Sequence, residues 1–180
     1  MTPRMTLTME NMNALRLLER LTDARNDKKY PSIPGYGRKR SRFNDQTSND
    51  LTQAILAAFK VHGIFATRLD SKGTYNAALG KFIPSRQRKG MPDISALLHN
   101  GKAVFVEVKC KATRDRLRPD QETTIAELKK NGAHVFIAQD FQSFWEWLTD
   151  LIVREGSRIE LDEHRVKQEV RVRTGHEKMQ

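Results

Sequence analysis

Cysteine is nearly absent. Cys110 is the one thiol in 180 residues, which excludes an internal disulfide, a CxxC zinc site and an iron–sulfur cluster. A reducing, cytoplasmic setting fits. Long apolar runs are missing, so nothing reads as a membrane span. Met1–Met12 lacks the apolar stretch of a secretory signal. Acids are outnumbered, 22 against 32 basic residues, for a net charge of +10. That imbalance favours a polyanionic partner, nucleic acid first among them. No internal repeat, helix-turn-helix or zinc finger occurs, so recognition by DNA shape is expected over base readout.

What is present is enough for a core. The chain is 38% hydrophobic and 30% charged, sufficient for one unstapled domain with extensions. Residues 1–47 read as an N-terminal helix and basic arm, 48–155 as the compact domain, and 156–180 as a charged C-terminal extension. Met12, Leu15, Leu18 and Leu21 predict a helix over 9–26. Residues 28–47 are broken by Pro31, Pro34, Gly35 and Gly37, and hold no acid from 28 to 44. That segment is either a flexible basic arm or a plain solvated linker.

Ser48 is a candidate cap for a helix whose stripe is Leu51, Ile55, Ala58, Phe59 and His62, ended by Gly63. Ile64–Leu69 reads as a strand, and 70–90 as a long loop or irregular hairpin. Asp93–Leu98 and Lys102–Lys109 are two strands joined through His99-Asn100-Gly101. Pro119 opens a helix to Asn131, with Gly132 at its end. His134–Ala138 reads as a short buried strand. Asp140 caps a last helix with Phe141, Phe144, Trp145, Leu148 and Ile152 on one face, a candidate surface for a homodimer. Helix, strand, strand, strand, helix, strand, helix predicts an α/β fold with a mixed central sheet flanked by helices.

The chemistry concentrates at Asp93 and Glu107-Val108-Lys109. Phosphodiester hydrolysis needs a dianionic pocket for Mg²⁺ or Mn²⁺, an activated water, and a cation near that water. Strand alternation puts Glu107 and Lys109 on one face, roughly 7 Å apart along the strand. Loop length decides whether Asp93 joins them. A two-residue turn at Asn100-Gly101 would pair Asp93 with Val108, on the wrong face. A three-residue loop with Gly101 left-handed pairs Leu98 with Lys102 and sets Asp93 opposite Glu107. The second register also gathers Ile94, Ala96, Leu98, Val104 and Val106 on one apolar face, so it is the expected one. Gln121 falls on the inward stripe of its helix with Ile125 and Leu128. It is either a core amide bonded to backbone or a group reaching the site.

Gly90-Met91-Pro92-Asp93, Phe105-Val106-Glu107-Val108-Lys109 and Gln121 resemble the PD-(D/E)XK nuclease superfamily, and within it the VRR-NUC family of virus-type replication and repair nucleases. The resemblance covers about residues 48–140. It implies a restriction-endonuclease-like αβββαβ core, Mg²⁺ or Mn²⁺ dependence, and DNA cleavage. Small stand-alone members are similar to Holliday junction resolvases and often act as homodimers on branched DNA. Carried over, Asp93 and Glu107 are metal ligands with the Val108 carbonyl, Lys109 serves the attacking water, and Gln121 is the second-helix glutamine. The sequence departs from the pattern twice. The first helix offers only Asp50 (with Gln53 weaker) where a Glu is common, and Arg118-Pro119-Asp120 stands where a small hydroxyl residue often precedes the Gln.

Lys81, Arg86, Arg88 and Lys89 precede the site, and Lys111, Arg114, Arg116 and Arg118 follow it. They either flank a groove for the DNA backbone or are solvated loop charges. Tyr75 and Phe82 either stack on a base or pack. His62, His134 and Cys110 read as structural. The competing functions are a non-catalytic DNA-binding module on a nuclease scaffold, and a general DNA or RNA nuclease.

Overall fold

The computed structural model describes residues 13–69, 73–85 and 87–156. Its centre is a four-stranded sheet in the order β1 (Phe65–Arg68), β4 (Ile94–Leu97), β5 (Ala103–Val108), β6 (His134–Ala138). The first two pairings are antiparallel and β5–β6 is parallel. A parallel neighbour needs a crossover, and α3 (Pro119–Lys130) supplies it. Residues 70–90, expected as a loop or irregular hairpin, contain a separate two-stranded ribbon of β2 (Thr74–Asn76) and β3 (Lys81–Ile83).

The β4–β5 turn is the three-residue form. Gly101 sits at φ +83°, and the Leu98 N–H donates to the Lys102 carbonyl at 3.0 Å. Ile94 then faces Val106 and Ala96 faces Val104. These side chains, with Leu98 and Val108, are buried against α2 (Ser48–Val61) and α4 (Phe141–Arg154) in one core. The cap of α2 is Thr47 rather than Ser48. The Thr47 hydroxyl accepts from the Asp50 N–H, while the Ser48 hydroxyl donates to Asp115 Oδ2 at 2.7 Å.

Residues 13–47 are not set apart from this body. Helix α1 (Ala14–Lys29) buries Ala14 and Leu18 in the same core as α2 and α4, and a fully buried leucine alone contributes about 2 kcal/mol. The segment expected as a free basic arm is laced back onto α1. Arg38 pairs with Asp27, the Ser41 N–H donates to Asp23 and the Phe43 N–H to Glu19. Asp45 continues the path: its carboxylate accepts from the Phe141 N–H and its carbonyl from the Cys110 thiol.

Two further expectations change. The apolar face of α4 is interior, with Phe141, Phe144 and Leu148 fully buried, so it is no surface for self-association. Strand β6 is half-buried over His134–Ile137, because it is the edge of the sheet. Residues 9–12 of the expected first helix, Arg86, and 157–180 of the C-terminal extension lie outside the described residues.

Candidate active site

Three elements meet at one end of the β4–β5 pair. Asp93 immediately precedes β4, Glu107 and Lys109 sit at the end of β5, and Gln121 lies in the first turn of α3. The register Ile94–Val106, continued by one pair, puts Asp93 opposite Glu107. The next pair is Pro92 and Val108. The Leu98–Lys102 hydrogen bond sets which pairs exchange N–H and carbonyl, and counting back by twos makes Pro92–Val108 one of them. Proline has no N–H to give, so β4 offers no ladder donor to the Val108 carbonyl. The Val108 N–H turns instead to Asp93 Oδ2, at 2.9 Å. The Pro-Asp pair thus ends the strand, aims the aspartate and leaves a carbonyl beside it.

Asp93 is held from both sides, since its carbonyl accepts from the Leu69 N–H at 2.7 Å. Glu107 is only 1% exposed. Its Oε1 takes Lys109 Nζ at 2.9 Å and Gln121 Nε2 at 2.5 Å. Its Oε2 is buried with no hydrogen-bond partner. Burial pushes the Glu107 pKa up and the nearby Asp93 charge adds to that, while Lys109 and Gln121 oppose it. A buried carboxylate oxygen without a donor is costly. A divalent cation is the natural remedy for two carboxylates that repel each other.

Gln121 is not a plain core amide. Its Oε1 accepts from the Arg118 N–H at 3.0 Å, satisfying that donor at the start of α3, while its Nε2 donates to Glu107. Helix and acid are therefore joined through one side chain. Gly90 makes the approach of α3 possible. At φ +77°, a Cβ there would lie 2.2 Å from the Asp120 carbonyl oxygen, and the neighbouring Lys89 carbonyl accepts from Thr124 Oγ1.

Asp50 does not join the pair. Its carboxylate accepts from Thr47 Oγ1 at 2.7 Å, a capping contact of α2. Among the described residues no three His, Cys, Asp or Glu side chains gather at metal-binding spacing, so Asp93, Glu107 and the Val108 carbonyl are the donors at hand. That set fits Mg²⁺, which keeps several waters and takes one or two carboxylates.

Sequence reasoning passed over Asp115. It accepts from Ser48 and Thr113, and those bonds, with the charges of Lys109 and Arg118, hold its carboxyl below the usual range. An isolated acid in a run of arginines gives no local signal; only the fold shows that it feels Lys109. The basic loops lie on either side of the site in the chain. Lys81, Lys89, Lys111, Arg116 and Arg118 are exposed. Arg88 is exposed too but pairs with Glu127 on α3. Arg114 holds a left-handed backbone, φ 55°.

Comparison with known proteins finds the family that the motifs resemble. The family profile of the VRR-NUC domain matches residues 75–142, which include Asp93, Glu107, Lys109 and Gln121. A solved structure described as a VRR_NUC domain is 22% identical, with a TM-score of 0.41, covering 59% of this chain and 94% of its own. No curated protein matches the chain. Residues 75–142 of this chain are therefore similar to the VRR-NUC domain, the nuclease family whose motifs the sequence resembles.

Proposed function

We propose that the protein is an Mg²⁺- or Mn²⁺-dependent DNA endonuclease, selective for branched structures in the manner of Holliday junction resolvases, serving phage or mobile-element replication, recombination or repair. The observation that carries the reading is the buried Glu107, whose Oε2 lacks a donor while Asp93, Lys109 and Gln121 converge on the same spot. A binding module gains nothing from an unpaired buried carboxylate facing phosphate.

When bound, a divalent cation would supply Lewis-acid stabilisation of the phosphate and a more acidic water. Asp93, Glu107 and the Val108 carbonyl would hold it. The chain's own residues do the rest. Gln121 and Lys109 fix the rotamer of Glu107 through Oε1, which leaves Oε2 for the cation. Lys109, its side chain mostly buried beside Glu107, has N–H groups left to orient the attacking water and offset the charge developing on the phosphate. Lys81, Lys89, Lys111, Arg114, Arg116 and Arg118 supply screened, sequence-independent backbone contacts.

The test is cleavage of labelled four-way junction, flap, duplex and single-stranded DNA, and of RNA, with Mg²⁺, Mn²⁺ or EDTA. Metal-dependent cutting of the branched substrates ahead of the others is expected. Equal cutting in EDTA sinks the metal site, and equal cutting of all substrates sinks the structure selectivity. Sedimentation of the intact chain, free and on a junction, tests whether it works as a homodimer.

A further inference from the structure

The ribbon of β2 and β3 takes no part in the core. Thr74 pairs with Ile83, Tyr75 with Phe82 and Asn76 with Lys81. Directly opposed strand residues share a face, so Tyr75 and Phe82 stand side by side on one face of the ribbon. Both are exposed, at 64% and 60%. The Phe82 ring lies against the backbone of Gly73, where a Cβ would meet Phe82 Cζ at 2.4 Å, so the glycine permits this placement of the ring.

An exposed aromatic pair asks for an occupant, and the ribbon's position names one. Its N-terminal root is Leu69, whose N–H bonds the Asp93 carbonyl at 2.7 Å. Its C-terminal root is held on α3 by Arg88–Glu127 and by Thr124 on the Lys89 carbonyl. The segments flanking the ribbon are therefore tied to Asp93 on one side and to α3, which carries Gln121, on the other. Lys81, in the ribbon itself, and Lys89, at its root, are exposed cations. Exposed aromatic rings on a ribbon that also carries exposed cations, its flanks tied to the candidate site, match the chemistry of an unstacked base on its backbone. A second copy of this chain, itself strongly basic, fits such a surface poorly.

We infer that Tyr75 and Phe82 form a stacking platform for an unpaired nucleobase next to the scissile phosphate, making single-stranded or branched nucleic acid the preferred ligand of this site. This rests on the nucleic-acid substrate and the site proposed above, while the binding it predicts does not require cleavage.

The full chain is titrated in EDTA, where binding and cutting separate. The probes are a single-stranded 20-mer, a flap with unpaired bases and a blunt duplex, the first two carrying 2-aminopurine in the unpaired stretch. Quenching of 2-aminopurine is expected with wild type. Tyr75→Ala/Phe82→Ala should bind the single strand and flap about tenfold more weakly, within the range for loss of one base–aromatic stack, and the duplex within about twofold. Tyr75→Phe should keep both affinity and quenching, which separates loss of a ring from misfolding. Unchanged affinity, or equal loss on all three probes, overturns the inference. So does a dimer that the double substitution converts to monomer with DNA affinity intact, because the occupant is then a second copy. If wild type binds none of the probes, the nucleic-acid reading itself fails; if it binds and quenches but never cuts with metal, only the nuclease reading does.

Discussion

Each end of the β4–β5 hairpin carries a lysine–glutamate contact, and the two differ in almost everything but length. At the turn end Lys102 Nζ lies 2.7 Å from Glu155 Oε2, with Asn100 and His134 on the same carboxylate. Lys102 is half exposed, and its neighbours hold the Glu155 carboxyl below its usual range. At the other end Lys109 Nζ lies 2.9 Å from Glu107 Oε1, but Glu107 is buried, one oxygen has no donor, and burial pushes its pKa up. The first carboxylate is better satisfied folded than unfolded; the second is worse. A protein keeps the second kind where the unsatisfied group has something else to hold.

The comparison predicts unequal losses. Asp93→Ala or Glu107→Gln should lower metal-dependent cleavage by at least about a hundredfold. In wild type Mn²⁺ should raise Tm, because a ligand that binds only the folded state stabilises it; in Glu107→Gln that rise should vanish. Cleavage by either variant at wild-type rate would place the chemistry elsewhere.

Gly90→Ala comes next. It forces a side chain into the Asp120 carbonyl at a positive φ, and should cost about 2–4 kcal/mol in denaturant unfolding as α3 is pushed off the site. A loss below about 1 kcal/mol would mean that α3 is not held as described.

His62 probes the shared core between the two ends. It is 2% exposed against Trp145, both ring nitrogens lack partners, and burial lowers its pKa to about 4. Below its unfolded pKa of about 6.5 the unfolded chain takes up a proton that the folded chain refuses. This contribution is therefore fully present above about pH 6.5 and falls by up to about 3 kcal/mol as pH drops towards 4. Wild type should lose stability through that window, and His62→Leu should lose less. Parallel pH curves for the two would refute the assignment.

The smallest effect belongs to the turn end. Lys102→Met should move Tm by no more than about 2 °C and leave cleavage unchanged. A large change there would erase the contrast between the ends.

Much of the site region was readable because its rules are local. The three-residue loop with Gly101 fixed the register, and the register fixed which face Asp93, Glu107 and Lys109 share. Gln121 showed itself as an amide on an apolar stripe. The features that escaped are non-local. Arg38–Asp27 and Phe43–Glu19 tie residues 11 and 24 apart, with no periodicity to announce them, so a packed segment read as an arm. Strands of three residues are too short to show alternation, which left residues 70–90 open between a loop and an irregular hairpin. The apolar face of α4 was visible, but only α1 and α2, folding over it, decide that it is interior.

The amide of Gln121 has one further consequence. Ends of helices fray on fast timescales, and here the fraying end is tied to the acid by a single side chain. Each time the opening turn of α3 unwinds, Glu107 loses one of its two hydrogen bonds and a constraint on its rotamer. The readiness of the site thus depends on whether the opening turn of α3 stays wound.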